Sequence, residues 1–468
     1  MVDLLTYAQD LSEAGEYEEA YILADKHLKN DPNNPHWLNV MTYLMLQTEK
    51  PSIAYQLAKR VCDMVPRDST GWLNLGMACR DMRLDTEAIR HFKRSLKFSV
   101  DPEKAAMASI NISSSLIDMG EFKKAEAYCL KAIELNPESK KGVMNLGFAQ
   151  LGQRNWKEGW ANYREVIGHD WRPRFQYNDE PLWDGKSKGT IVLYGEQGLG
   201  DQISFMSVLP DALEWAKEND SRIIVECDPR LESLCKRSFP DLTVYGTLGR
   251  KGVSWDESDR QVDYSLPIGQ ACEYFRNSDS DFPGTEYLVP DADRLLQWEA
   301  LFESKKKPVI GIAWSSGTFK TGSKFRRVGL EELLPVLESV DAHWVSLQYK
   351  PASREIAKFK EKHPEIDIVE YKHGTLSGDY DDTLAMVSAL DMVFCMHTTV
   401  THVAGGLGIP CWTLVPKNSQ WRYGEDETYV WADSVKLLRQ TQHGKWKDVI
   451  KKSAEDLRVR FDPKSRAA

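Results

Sequence analysis

A small residue that returns at a nearly constant interval constrains the fold of this chain more than any other feature. It stands at Ala20, Ala54, Ala88, Ala125 and Gly159, so the successive intervals are 34, 34, 37 and 34 residues. Around it, the stretch EAGEYEEAYILADKHLKNDPNN reappears later in the chain as DMGEFKKAEAYCLKAIELNPES. A period of this length predicts helical hairpins that cannot bury their apolar faces alone and therefore stack into a solenoid.

Glycine, aromatic, alanine and proline residues at matching offsets make the unit resemble the tetratricopeptide repeat. We therefore predict an array at 1–166, with four repeats and a degenerate fifth. The repeats lie at 1–34, 35–68, 69–105, 106–139 and 140–166. Stacked repeats of this kind form a concave groove, which would bind a protein partner or mediate self-association.

The sixth residue of the unit is an asparagine in the last three repeats, at Asn74, Asn111 and Asn145. A side-chain amide both donates and accepts hydrogen bonds, so this ladder could hold the backbone of an extended peptide without reading its sequence. The alternative is that these asparagines pack between repeats.

The pattern changes after the array. A connector at 167–187, rich in proline, aspartate and aromatic residues, has no clear period. Beyond it, apolar runs alternate with helical stretches in two series, which predicts two doubly wound parallel sheets. We assign them to Rossmann-like halves at 188–300 and 301–460, followed by a tail at 461–468. The predicted fold class is α + α/β, with the ligand beyond the carboxyl ends of the strands.

The first apolar run of these halves ends in a glycine-rich turn, GEQGLGD, that leads directly into a helix. Its glycine spacing matches neither the dinucleotide-binding motif nor the P-loop. Gly198 and Gly200 would allow close approach of an acceptor or of another backbone, with Gln202 beside them. Asp201 has two interpretations: it stabilises the helix N-terminus, or it takes a proton from an attacking hydroxyl.

The stretch FCMHTTVTHVAGG in the second half contains a strand end followed by a helix entry. There, Thr398 and Thr399 would offer hydroxyls beside free helix amides, an arrangement that suits a phosphate group. Plain N-capping by a threonine is the alternative. His397 precedes them, and His402 follows within the helix, where a core histidine is the alternative to a ligand contact.

A loop after the strand VIGIAW carries four cations, at Lys320, Lys324, Arg326 and Arg327. Such charges usually form a solvated surface. Against a diphosphate they would instead neutralise the charge that develops on a leaving group. The sequence does not select one of the four for this role.

From about Trp183 onward, these stretches together resemble the heptosyltransferase-type glycosyltransferases, whose two-sheet fold is called GT-B. The resemblance rests on PLWDG, GEQGLGDQISF, GIAWSSG, WVSLQ, DTLAMVSALDMV, THVAGGLGIPCW, WRYG and LLRQ, which occur in this order. Tetratricopeptide arrays fused to such a module are a familiar combination. The resemblance implies metal-independent, inverting transfer of a sugar from a nucleotide diphosphate sugar, with no further cofactor.

The resemblance also implies roles for individual residues. Asp201 corresponds to the presumed general base, on the acceptor side formed by the first half. The residues expected to contact or border the donor in the second half are Thr398, Thr399, His402, Gln348, Trp421, Arg422 and a cation of the basic loop. His397 is a departure, because the family usually has an aspartate there that touches the donor sugar. A different sugar or a weakened activity would follow.

The composition and the charge of the chain argue against several other functions. The 60 lysines and arginines against 70 aspartates and glutamates give a net charge of −10, which disfavours a nucleic-acid partner. The eight cysteines include no C-x-x-C pair, and no apolar run reaches the ~20 residues of a membrane helix. We therefore expect a cytoplasmic protein. Asp379 and Asp381 spell D-x-D, but acids are common at a helix start, so we predict no metal.

Two other functions fit parts of the pattern. A non-catalytic scaffold would recruit a protein through the repeats and retain a degenerate transferase module that only binds nucleotide or glycan. An epimerase acting on a free nucleotide sugar fits less well, since a small substrate has no use for a long groove. The donor's base and sugar stay open, as does the choice between a polypeptide and a glycan acceptor.

Overall fold

The computed structural model describes residues 4–169, 171–248, 255–317, 326–376 and 378–462. The chain divides into two compact units. The first contains 1–153 together with 420–422, and the second contains 154–419 together with 423–468. Among the helices of the described ranges, none is both long enough and apolar enough to cross a bilayer.

The first unit is a series of helices joined by short turns. They are α1 Leu4–Glu13, α2 Tyr17–Asn30, α3 Pro35–Gln47, α4 Pro51–Met64, α5 Ser69–Asp81, α6 Asp85–Phe98, α7 Pro102–Asp118, α8 Phe122–Leu135 and α9 Lys140–Gly152. The periodic alanine is the fourth residue of α2, α4, α6 and α8, and it is fully buried in all four. A methyl group there lets neighbouring helices approach closely. The predicted helical solenoid is confirmed.

The turn within each hairpin has the same backbone conformation. Gly15, Glu49, Arg83 and Gly120 have φ values of 84°, 57°, 58° and 71°. In each case the next residue donates its N–H to the carbonyl five positions earlier, as Leu84 does to Cys79. Glycine adopts this left-handed conformation without strain, so Glu49 and Arg83 hold it at a small cost in free energy.

Gly76 shows how tightly these helices pack. It lies in α5, and a Cβ atom there would come within 2.5 Å of the Phe92 ring in α6. We expect Gly76→Ala to destabilise the unit by ~1–3 kcal/mol, because overpacking outweighs the ~1 kcal/mol gain in helix propensity. Gly142→Ala is the matched control, since its nearest neighbouring atom lies at 3.3 Å. Urea denaturation measures both; equal shifts in the midpoint would contradict the packing argument.

The second unit contains two sheets whose strands all run parallel. The first has the order β3-β2-β1-β4, with β1 Thr190–Tyr194, β2 Arg222–Glu226, β3 Thr243–Tyr245 and β4 Tyr264–Pro267. The second has the order β10-β9-β8-β5-β6-β7, with β5 Val309–Ala313, β6 His343–Ser346, β7 Ile368–Val369, β8 Met392–Met396, β9 Cys411–Val415 and β10 Val435–Arg439. The predicted parallel α/β architecture is confirmed.

Helices precede, connect and follow these strands. They are α10 Trp156–Arg164, α11 Leu199–Phe205, α12 Leu209–Glu218, α13 Glu232–Ser238, α14 Cys272–Phe275, α15 Ala292–Glu303, α16 Leu330–Leu337, α17 Ser353–Lys360, α18 Lys372–Thr375, α19 Tyr380–Ser388, α20 Thr399–Gly406 and α21 Lys447–Phe461. The central strands are buried along their whole length, as β8 and β9 are. Burial on both faces explains why these strands read as continuous apolar runs.

Helix α10, the second helix of the predicted fifth repeat, belongs to the second unit. Its Trp160 Nε1 donates to the Arg276 carbonyl at 2.9 Å, and Gln270 Nε2 donates to the Trp160 carbonyl at 3.0 Å. The boundary between the units therefore falls inside the range 140–166, between α9 and α10.

Candidate functional site

In each sheet, one pair of neighbouring strands marks the point where the strand order reverses. These strands are β1 and β4 in the first sheet, and β5 and β8 in the second. A crevice opens beyond the carboxyl ends of such strands, because their connections leave in opposite directions. The glycine turn follows β1, the basic segment follows β5, and helix α20 follows β8. Three of the predicted stretches thus lie at switch points.

The glycine turn after β1 lies against the N-terminus of α20. A Cβ atom at Gly200 would be 3.0 Å from Thr399 Oγ1 and 3.2 Å from His402 Cδ2. Any larger residue would push the turn and the helix apart, so this close approach requires glycine. The structure therefore brings the turn that carries Asp201 next to the helix entry that carries Thr399.

Asp201 is the third residue of α11 and is half-buried. Its Oδ2 accepts a hydrogen bond from the Gly198 N–H at 3.1 Å. The carboxylate therefore caps the helix, as the first interpretation of the sequence has it.

A buried ion pair that sequence reasoning missed holds the glycine turn in place. Arg172 Nε and Nη2 donate to the two carboxylate oxygens of Glu196 at 2.8 and 2.9 Å, and both side chains are buried. Arg172 also donates to Gln270 Oε1 at 2.7 Å and to the Tyr163 carbonyl at 2.5 Å. Gln197 adds a hydrogen bond to the Tyr163 hydroxyl. The connector and α10 thus fix the turn.

Gln202 has a packing role in the structure. Its side chain is 2% exposed, and its Oε1 accepts from the Asp228 N–H at 2.9 Å. A Cβ atom at Gly195 would lie 2.4 Å from the same oxygen. Gln202 therefore ties the turn after β1 to the segment after β2. Its place beside an acceptor stays a prediction.

Helix α20 begins with a threonine cap. Thr398 Oγ1 accepts from the Val400 N–H at 3.0 Å, and Thr401 Oγ1 accepts from the Thr398 N–H at 3.4 Å. Thr398 and Thr399 are both half-buried. The capping interpretation holds for Thr398, while Thr399 faces the glycine turn through its contact with Gly200.

His397 follows β8 directly and is 2% exposed. Its backbone N–H donates to the Leu414 carbonyl at 3.1 Å, and its ring lies edge-on to Tyr423 at 5.1 Å. Neither ring nitrogen has a hydrogen-bond partner in the part of the chain that the structure describes. Burial, and after it the positive charge of Arg326, lowers the pKa of His397 well below its usual value. The imidazole is therefore neutral at physiological pH.

His402 has a different environment. Its Nδ1 lies 3.0 Å from the Tyr429 hydroxyl and its Nε2 lies 3.4 Å from the Tyr423 hydroxyl. Because both ring nitrogens lie close to hydroxyls of buried tyrosines, the contacts favour the core histidine that the sequence offered as an alternative. The contact of His402 with a donor stays a prediction.

The basic segment returns to the end of β5. The Ser316 N–H donates to the Arg326 carbonyl and the Val328 N–H to the Trp314 carbonyl, both at 2.9 Å. This pairing brings Arg326, which is half-buried, to the carboxyl end of the strand. Two of the four predicted cations, Lys320 and Lys324, lie outside the described residues.

Two other residues of the second half that we expect to contact the donor, Arg327 and Gln348, differ in burial. Arg327 is exposed and lies 3.5 Å from Glu355. Gln348 is buried, and its Nε2 donates to Ser315 Oγ at 2.5 Å. Gln348 thus supports the start of the basic segment.

Trp421 and Arg422 belong to the first compact unit. Both are buried, and the Arg422 guanidinium lies over the Trp421 ring at 4.8 Å. Their predicted contacts with a donor stay a prediction.

The three asparagines of the predicted peptide ladder differ in their contacts. Asn74 Nδ2 donates to Asn39 Oδ1 at 3.1 Å, and Asn145 Nδ2 donates to Ser114 Oγ at 2.8 Å, so both tie neighbouring repeats together. Both are also buried. Asn111 is half-buried; its Nδ2 donates to the carbonyl of Met107 in its own helix, and its Oδ1 accepts from Arg80 Nη1 of the preceding repeat at 3.3 Å. These contacts favour packing between helices as the role of the three asparagines. Part of the Asn111 residue stays exposed to solvent.

The D-x-D acids have structural partners. Asp379 caps α19 by accepting from the Asp381 N–H at 3.1 Å. Arg294 lies 2.6 Å from Asp379, and Arg237 lies 2.6 Å from Asp381. Among the described residues, no group of three or more histidine, cysteine or acidic side chains is placed to hold a metal ion.

Comparison with known proteins bears on the first unit. A family model of the tetratricopeptide repeat matches residues 108–139. The helix pairs of the first unit are tetratricopeptide repeats. The chain is 26% identical to tetratricopeptide repeat protein 8 of Caenorhabditis elegans over 147 residues, which are 31% of this chain and 29% of that protein.

A second similarity extends beyond the repeats. Protein FlbA of Caulobacter vibrioides is 28% identical over 446 residues, which are 91% of this chain and 73% of that protein. Among solved structures, a thermophilic tetratricopeptide repeat protein of Thermus thermophilus has 20% identity and a TM-score of 0.32, covering 35% of this chain and 88% of that one. MamA of Desulfovibrio magneticus has 18% identity and a TM-score of 0.30, covering 36% and 94%.

Proposed function

We propose that the second unit is a metal-independent, inverting glycosyltransferase whose two sheets form a GT-B pair. The observation that carries this proposal is the contact between Gly200 and Thr399. It joins the switch point of the first sheet, with a carboxylate, to the switch point of the second, with a helix N-terminus. An acceptor hydroxyl and a diphosphate would need these two groups side by side.

The reaction follows from the chemistry of these groups. Asp201 takes the proton of the acceptor hydroxyl as its oxygen forms a bond to the anomeric carbon of the sugar. The bond from that carbon to the diphosphate breaks on the opposite face, so the anomeric configuration inverts. The diphosphate carries the electron pair away, and the amides at the start of α20 with the Arg326 guanidinium stabilise its charge.

The tetratricopeptide repeats favour a polypeptide acceptor. Arrays of this kind bind proteins along an extended groove, and Asn111 keeps part of its side chain exposed on α7. We propose that the first unit recruits the acceptor and that the second unit modifies it. A glycan acceptor would make the groove unnecessary.

One observation favours a second candidate, a scaffold that binds nucleotide or glycan without turnover. His397 is neutral, so it cannot supply the fixed negative charge that the resembled family places there. The scaffold and the enzyme share the binding site but differ in chemistry.

Titration against a panel of nucleotide sugars separates the two functions. The panel contains UDP-glucose, UDP-N-acetylglucosamine, GDP-mannose and dTDP-glucose, and calorimetry measures binding while chromatography measures loss of donor. We expect binding of at least one donor and its slow hydrolysis, because a general base beside the anomeric carbon also activates water. Binding without loss of donor, even with the natural acceptor protein added, would favour the scaffold. Absence of binding would contradict both.

A further inference from the structure

His397 is a buried polar side chain at the carboxyl end of β8 whose two ring nitrogens both have unmet hydrogen-bonding capacity among the described residues. It is 2% exposed, and neither nitrogen of its ring meets a hydrogen-bond partner among the described residues. A buried polar group without a partner costs about 1–3 kcal/mol, and native structures rarely keep one without a functional reason. A ligand that enters the crevice would supply the missing partner.

The position of His397 indicates the chemistry of that ligand. It adjoins two positive features of the second sheet's switch point, because the positive charge of Arg326 acts on its ring and the cap of α20 is the next residue. The eight residues of α20 give the amides of its first turn a partial positive charge. An anion is therefore the ligand that this environment favours.

We propose that the buried His397 ring is a ligand of the donor diphosphate, donating a hydrogen bond to a phosphate oxygen and taking up a proton when the diphosphate binds. This inference rests on the proposed function, which places the diphosphate at α20. In the free protein, burial and the charge of Arg326 oppose protonation. A diphosphate brings negative charge to the ring and reverses the balance, since an opposite charge nearby favours the charged form.

Among the described groups that face the His397 ring, we expect none other than His397 itself to change its protonation when an anion binds. They are the Arg326 guanidinium from the segment after β5, His402 from α20, the Tyr423 ring and the Leu414 carbonyl of β9. Arg326 stays charged at any working pH. His402 has a tyrosine hydroxyl within 3.0 Å of Nδ1 and another within 3.4 Å of Nε2. His397 is thus the group whose surroundings change when an anion arrives.

The sign of the pH dependence follows from linkage. If the complex binds one more proton than the free protein, affinity rises as pH falls through the pKa that His397 has in the complex. We expect the dissociation constant at about pH 6 to be at least ~5-fold lower than at about pH 8. The probe is the tightest-binding nucleotide sugar of the panel, because the diester phosphates of such a molecule keep a constant charge across this range.

Calorimetry in two buffers of different ionisation enthalpy counts the protons directly on the unmodified protein, and uptake approaching one proton at about pH 7 is expected. His397→Gln, which keeps a hydrogen-bond donor but cannot titrate, should bind with a flat pH profile. His363→Gln, at a surface pair with Glu331, should keep the slope. Binding without proton uptake, or a slope that persists in His397→Gln, would overturn this inference alone. Failure of every donor to bind would contradict the proposed function as well.

Discussion

Replacing Asp201 by asparagine is expected to lower the rate of sugar transfer at least ~100-fold and to leave nucleotide-sugar binding unchanged. The physical reason is that the two roles of Asp201 separate in this variant. The Gly198 N–H donates to the Asp201 carboxylate at 3.1 Å, and the amide oxygen of asparagine can accept the same hydrogen bond. It cannot remove a proton from a hydroxyl. The measurement is initial velocity with saturating donor, paired with calorimetric affinity for the donor.

Asp101→Asn provides the matched control. Asp101 caps α7 by accepting from the Glu103 N–H at 3.0 Å, and it lies in the first unit. Asp101→Asn makes the same change from aspartate to asparagine at the start of α7, where no general base is proposed. The rate of sugar transfer should therefore stay unchanged in this variant. Full transfer by Asp201→Asn would remove this carboxylate from the mechanism and leave it as a cap only.

The sequence predicts those features of the fold that produce a repeating pattern of residues along the chain. The recurrence of Ala20, Ala54, Ala88 and Ala125 follows from the geometry of stacked hairpins, so it predicts the solenoid directly. The alternation of apolar runs with helical stretches likewise predicts parallel sheets. The glycine turn could be recognised because Gly200 has no side chain, but the reason for that glycine, its contact with Thr399, is visible only in three dimensions.

The remaining site features depend on contacts between distant segments. Glu196 lies in the glycine turn, but its partner Arg172 lies in a connector that has no periodic pattern. The sequence therefore contains no local pattern that would predict this ion pair. The histidines show the same limit. His397 and His402 share a motif five residues apart, and only the tyrosines supplied by the segment near 423–429 distinguish a bonded ring from an unbonded one. Likewise, the sequence period alone does not distinguish repeat asparagines that face a groove from asparagines that contact a neighbouring helix.

The buried pair that fixes the glycine turn gives the largest expected effect on stability. Arg172→Met should destabilise the second unit by ~3–5 kcal/mol, because it leaves the Glu196 carboxylate buried without its counter-charge. The loss also includes the bonds of Arg172 to Gln270 Oε1 and to the Tyr163 carbonyl. Chemical denaturation followed by tryptophan fluorescence measures the change. Adding Glu196→Gln to Arg172→Met should recover part of the loss, since the unpaired charge is then removed.

Arg230→Met is the control for this comparison. Arg230 pairs with Asp228 at 2.9 Å in the same unit, but its side chain is 53% exposed, so water replaces the lost partner. Its loss should cost below ~1 kcal/mol. If Arg172→Met cost no more than this control, the Glu196 pair would not hold the turn. The position of Asp201 would then depend on the other contacts of the turn, which include the packing of Gly200 against Thr399 and the hydrogen bond of Gln202 with the Asp228 N–H.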